Sequence, residues 1–238
     1  MSNFAPFTIV FPIYPGVTHL DFTGPHQFFS RLPGAKTVVA SVEGKPITAD
    51  GLTFSGLVPL EQIVCCDVLC IPGGAGCTDA IKDPRYLAAI RSLAENARYL
   101  TSVCTGSLIL GAAGLLEGKR AACHWAWRDF LPLFGAIPDR GRVVRDGNII
   151  TGGGVTAGID FALALAAELT NPTIAQSVQL GLEYAPEPPF NAGTPDTASA
   201  DVLTRVRRLT AKATVERRAA LQEAARLVGR EGRLVISD

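Results

Sequence analysis

The sequence predicts an α/β domain in which a parallel sheet lies between layers of helices. Three observations carry this. Strand-like and helix-like stretches alternate from end to end. Hydrophobic residues make up 47% of the chain and charged residues only 18%. The 238 residues are enough for one large hydrophobic core.

Taken in order, Phe7–Tyr14 is an apolar run of strand length, and a helix is expected over Thr23–Leu32. Thr37–Val42 reads as a second strand, and Ile47–Leu57 as a hairpin turning at Ala49-Asp50-Gly51. Asp67–Pro72 is a third, buried strand running into Gly73-Gly74-Ala75-Gly76. A helix over about Pro84–Ala97 leads to a strand ending at Cys104. The helix after Cys104 is expected to reach about Leu116, where Gly118 stops it. Arg142–Arg145 and Asn148–Thr151 pair through an Asp146-Gly147 turn. Gly152-Gly153-Gly154 opens an apolar helix to about Leu169, and Pro172–Tyr184 forms the next. The proline-rich stretch 185–199 is irregular; after it Val202, Val206, Leu209 and Ala213 mark one face of a long helix. The expected whole is a flavodoxin-like sandwich, one domain over 1–238 with a helical extension from about 200. In such sheets a ligand lies at the C-terminal strand ends, where the Asp21, Gly74 and Cys104 loops would converge.

Charge excludes several partners. With 22 basic and 22 acidic side chains the chain has no net charge, which argues against nucleic acid or an anionic membrane. The C-terminal helix is net basic, but no helix-turn-helix unit follows it, so a solvated face or a helix laid on a second subunit is expected there. No apolar run reaches the ~18 residues of a membrane helix, and the N-terminus lacks the features of a signal peptide. The six cysteines show neither disulfide-framework nor zinc-site spacing, so a cytoplasmic setting and no metal are expected.

The chemistry centres on Cys104. A β-branched run, Thr101-Ser102-Val103, stops at this cysteine, and a helix-forming run begins with Thr105-Gly106. A side chain at such a corner meets the free N–H groups of the new helix, which favour an anion; a thiol there is expected to be more acidic than in solution. The arrangement is a cysteine version of a nucleophile elbow, with Gly106 as the small residue that lets the backbone turn. Cys65, Cys66, Cys70 and Cys123 lie in or beside apolar segments and read as structural. Asp21, just after the first strand, is either a solvated or capping aspartate, or a carboxyl whose pKa rises through burial beside a thiolate. Gly74 is either a turn residue or an N–H donor that, with the N–H of Thr105, holds developing negative charge. The Thr105 hydroxyl could meet a substrate or do nothing. His124, beside Trp125, reads as a packed histidine rather than a base. Gly152-x-Gly154-x-x-Ala157 matches a dinucleotide fingerprint only formally, since no strand with a terminal acid follows; Val155 is expected to line the site instead.

Asp21 after the first strand, Ile71-Pro72-Gly73-Gly74, and Ser102-Val103-Cys104-Thr105-Gly106 together resemble the ThiJ/PfpI superfamily over about residues 7–170. The stretches Leu20–Pro25, Thr101–Leu108, Thr151–Asp160 and Leu182–Gly193 are similar to its isocyanide-hydrating members, over nearly the whole chain. That resemblance implies a homodimer without cofactor that converts a small-molecule isocyanide to an N-substituted formamide. It implies Cys104 as nucleophile, Asp21 as general acid/base and Thr105 as a substrate contact. Thr105 stands where peptidase-type members carry histidine, which removes a peptidase's base. Asp21 stands where many members carry glutamate, and Val155 where isoleucine is expected. The rival readings are a glyoxalase-type or deglycase-type enzyme, a cysteine-oxidation sensor, or the sensory half of an AraC-type regulator.

Overall fold

The computed structural model describes residues 4–234. Seven strands build the central sheet: β1 (Phe7–Pro12), β2 (Ala35–Ser41), β3 (Val58–Pro59), β4 (Val68–Ile71), β5 (Tyr99–Val103), β6 (Val143–Asp146) and β7 (Ile149–Gly152). Their spatial order is β6-β7-β5-β4-β1-β2-β3. Every neighbouring pair is parallel except the β6–β7 hairpin at one edge. In the middle, every residue of β4 and of β5 is buried, as expected of strands covered on both faces.

Among the described residues, seven α-helices surround the sheet: α1 (His19–Phe29), α2 (Cys77–Lys82), α3 (Pro84–Asn96), α4 (Gly106–Ala112), α5 (Ala157–Leu169), α6 (Pro172–Gly181) and α7 (Ala200–Leu234). Helices α1, α5 and α6 pack together, while α2, α4 and α7 form a second group. Asp83 caps α3 by accepting from the backbone N–H groups of Arg85 and Tyr86, with Pro84 at the first position, where its missing N–H costs nothing. Helix α7 is solvated along its first half, with Leu209 and Val215 exposed. Further on, Ala220, Leu221 and Ala224 are buried against the body of the protein.

The α/β sandwich is as the sequence predicts, and the local corrections have physical causes. Helix α1 starts at His19, a turn earlier than expected, so Asp21 lies inside its first turn and caps nothing. Pro25 suggests a helix start because it lacks an N–H; here it sits within α1, and the Thr23 hydroxyl bonds back to the His19 carbonyl. Helix α4 ends at Ala112 rather than near Leu116, because Gly114 adopts φ +83° and the Leu115 N–H closes back on the Leu110 carbonyl. The β6–β7 turn is Gly147-Asn148, one residue later than expected, with Asp146 paired to Ile149. The 47–54 hairpin does turn at Asp50-Gly51, both left-handed. The short strand β3 and the short helix α2 carry too few residues for a periodic signal.

Candidate active site

Three C-terminal strand ends meet at one point. After β5, Cys104 adopts φ +57°, a left-handed conformation costing a cysteine about 1 kcal/mol or more. Its N–H is fixed on the carbonyl of Gly152 at 3.1 Å, and its own carbonyl accepts from His124 N–H at 3.4 Å. Behind it, Ser102 Oγ and Ser107 Oγ are 2.8 Å apart, tying strand to helix across the corner. Gly106 permits the turn by closeness rather than by φ: a Cβ there would overlap the Ile71 carbonyl of the neighbouring strand. The thiol is nearly enclosed, with the residue 5% exposed.

Asp21 projects from α1 into the same space and is 0% exposed. Its Oδ2 accepts from the Gly73 N–H at 2.9 Å, and Oδ1 is buried with no fixed partner. Burial raises this carboxyl to about 7, against the opposing pull of the Gly73 N–H and the adjacent Cys104 thiol. An ionised carboxylate with one bare buried oxygen is costly, so the proton is held readily. For Cys104 the outcome is opposite to the sequence expectation. The Thr105 N–H does lower the thiol's pKa, but burial and then the Asp21 charge raise it well above the ordinary value. Sulfur and carboxyl therefore form a coupled pair in which one group's charge raises the other's pKa.

The loop after β4 forms the site's wall. Gly74 N–H donates to Thr105 Oγ1 at 2.9 Å, and that hydroxyl points back to the Gly74 carbonyl at 3.3 Å. Both glycine N–H groups are thus occupied, one by Asp21 and one by Thr105. The N–H that faces the sulfur is Thr105's own. Val155 lies half-buried in the turn before α5, with its carbonyl accepting from Gly158. His124 is kept neutral by burial and then by the Arg217 charge, and its Nδ1 accepts from Ala126 N–H at 3.3 Å. Of the remaining cysteines, Cys66 and Cys70 are buried as expected, and burial pushes both up to about 12; Cys65 is exposed, against its reading as a structural residue. Among the described residues, no cluster of His, Cys, Asp or Glu is arranged to hold a metal ion.

The DJ-1/PfpI family profile matches residues 7–168. The chain belongs to the DJ-1/PfpI family. Within it, an isonitrile hydratase of Pseudomonas putida is 52% identical over 201 residues, covering 84% of this chain and 88% of that protein. A crystal structure of a ThiJ/PfpI family protein from Pseudomonas syringae superposes with a TM-score of 0.88 at 44% identity, covering 94% of this chain and 92% of that one. An HTH-type transcriptional regulator of Pseudomonas aeruginosa is 32% identical over 145 residues, 59% of this chain but 42% of the regulator. The family match ends before α7, and what lies beyond it includes one residue that sequence reasoning missed. Arg217 of α7 is buried at 7% exposure and donates to the carbonyls of Gly74 and Ala75. A signal was present: Arg217, Ala220, Leu221 and Ala224 recur at helical spacing, which puts a cation on the buried face.

Proposed function

We propose that this DJ-1/PfpI protein is an isocyanide hydratase, adding water to an isocyanide to give an N-substituted formamide. The observation that carries the reading is the buried Cys104–Asp21 pair, in a chain whose relative at half identity is a hydratase of that kind. Cys104 is the nucleophile and Asp21 the general acid/base. The proton passes from sulfur to the carboxylate as the thiolate attacks the terminal carbon of R–N≡C. Asp21 then delivers that proton to the same carbon, leaving the thioimidate R–N=CH–S–Cys104. Water adds next: Asp21 takes one of its protons as oxygen bonds to the carbon, and the second water proton passes from the new hydroxyl to the nitrogen. The C–S bond breaks, the formamide leaves, and sulfur recovers the proton held by Asp21. A thiol of raised pKa suits this sequence, because proton and nucleophile move together and no standing thiolate is needed.

Thr105 presents its N–H to the sulfur and its hydroxyl to the site wall, which supports a substrate-positioning role. Gly74 acts through that hydroxyl, and Val155 is assigned to the substrate's surroundings. An isocyanide is small and linear, in keeping with a nearly closed thiol. The protein works as a homodimer, the exposed Leu209 and Val215 of α7 supplying apolar surface for a second copy. Six unpaired cysteines favour the reducing cytoplasm. The test mixes the protein with p-nitrophenyl isocyanide and, in parallel, methylglyoxal. Formamide production that vanishes in Cys104→Ala supports the reading; preference for methylglyoxal overturns it in favour of glyoxalase-type chemistry.

A further inference from the structure

Arg217 is an unusual group to bury. Among the described residues no carboxylate pairs with it, and its Nη2 instead donates to the Gly74 carbonyl at 3.3 Å and the Ala75 carbonyl at 3.2 Å. Its guanidinium carbon lies 4.0 Å from the centre of the Trp127 ring, itself buried. Desolvating a cation is costly, and two carbonyls and a ring face offset that only in part. Stability alone is a weak account of such an arrangement.

What the guanidinium holds is more telling. The Gly74 carbonyl that accepts from Arg217 also accepts from the Thr105 hydroxyl, which in turn accepts from the Gly74 N–H. One residue earlier, the Gly73 N–H holds Asp21. A single side chain, 143 positions away in sequence, therefore grips the peptide unit that accepts from the Thr105 hydroxyl, in the same short loop as the Gly73 N–H that holds Asp21. Its charge also opposes the burial that raises the Cys77 and Cys123 pKa values, and adds to the burial that lowers that of His124.

We propose that Arg217 is a positioning residue for the reaction: by gripping the Gly74 and Ala75 carbonyls it fixes the loop that aims Thr105 at the sulfur and holds Asp21 beside it. Helix α7 is then part of the working site and more than a cover for the sheet. The effect on turnover rests on the hydratase reading, while the effect on thiol reactivity does not.

The test compares the full-length wild type with Arg217→Met and Arg217→Lys, using Arg218→Ala on the exposed side of α7 as the control. Methionine keeps the apolar packing on Trp127 and removes the donors; lysine restores one charged donor. We expect kcat on p-nitrophenyl isocyanide to fall about 20-fold in Arg217→Met with KM within about twofold, and Arg217→Lys to recover to within about fourfold of wild type. We also expect the pH at which iodoacetamide begins to alkylate Cys104 to rise by about half a unit in Arg217→Met, because a loosened Gly73 N–H leaves Asp21 protonated, and so unable to take the thiol's proton, up to a higher pH. The alkylation arm reads the proposal even if the protein hydrates no isocyanide. Two results would overturn it: Arg217→Met matching wild type within twofold in kcat and in alkylation onset, or a loss of activity in both variants that only tracks the unfolded fraction seen by circular dichroism.

Discussion

Two neighbouring corners of the sheet share one topology and differ in what they spend it on. β5 runs into α4 through Cys104-Thr105, and β7, paired in parallel beside it with Gly152 opposite Val103, runs into α5 through Gly153–Thr156. At the first corner the backbone is tight. Cys104 is left-handed, and a Cβ at Gly106 would strike the Ile71 carbonyl. At the second, nothing needs glycine for steric reasons: a Cβ on Gly154 would meet only His124 Cδ2 at 3.8 Å, and one on Gly153 the Arg142 carbonyl at 3.6 Å. Glycine at the first corner lets backbone approach backbone. At the second a side chain would meet only ordinary contacts, so packing does not demand glycine there.

The largest effect should come from the first corner. Cys104→Ala is expected to lower turnover at least about 10³-fold while the protein stays folded, read as formamide release. Gly106→Ala should destabilise by about 3 kcal/mol, seen as a lower urea midpoint at unchanged slope. The Asp21 carboxyl gives a prediction in pH. Protonation of Asp21 leaves the pair with no base to take the thiol's proton, so kcat/KM should rise with pH through about 7 and level off above it. Because its folded pKa lies above its unfolded one, Asp21 favours folding at low pH and progressively loses that contribution as pH climbs from about 4 to about 7. Asp21→Asn should remove this slope, so its stability should gain on wild type by about 2.5 kcal/mol between pH 5 and pH 8, read as a growing difference in melting temperature. The smallest effect belongs to the second corner. Gly154→Ala should leave stability within about 0.5 kcal/mol and raise KM a few-fold, more for bulky isocyanides than for small ones. A Gly154→Ala protein as unstable as Gly106→Ala would erase the distinction between the corners.

Much of this was legible in the sequence because it rests on local patterns. The alternation of apolar runs with helical segments gives the sheet, and Asp50-Gly51 gives the turn of the separate 47–54 hairpin. A β-branched run breaking at Cys104-Thr105-Gly106 locates the corner. Asp21 is recognisable as a candidate, but Pro25 hides that it sits within a helix, since a proline normally marks a helix's first turn. The direction of the Cys104 pKa was not legible. Helix N–H groups are written in the local sequence, whereas burial and the Asp21 charge arrive only when distant segments meet. Arg217 was obscured for the same reason: among many basic residues on α7, its contact with Gly74 exists only after the chain has folded back on itself.

That long return has a consequence for the newborn protein. A chain made from its N-terminus can assemble sheet, sulfur and carboxyl before α7 emerges, yet the Gly74–Ala75 loop stays ungripped until Arg217 arrives. The thiol would then reach its full reactivity only as one of the last events of biogenesis.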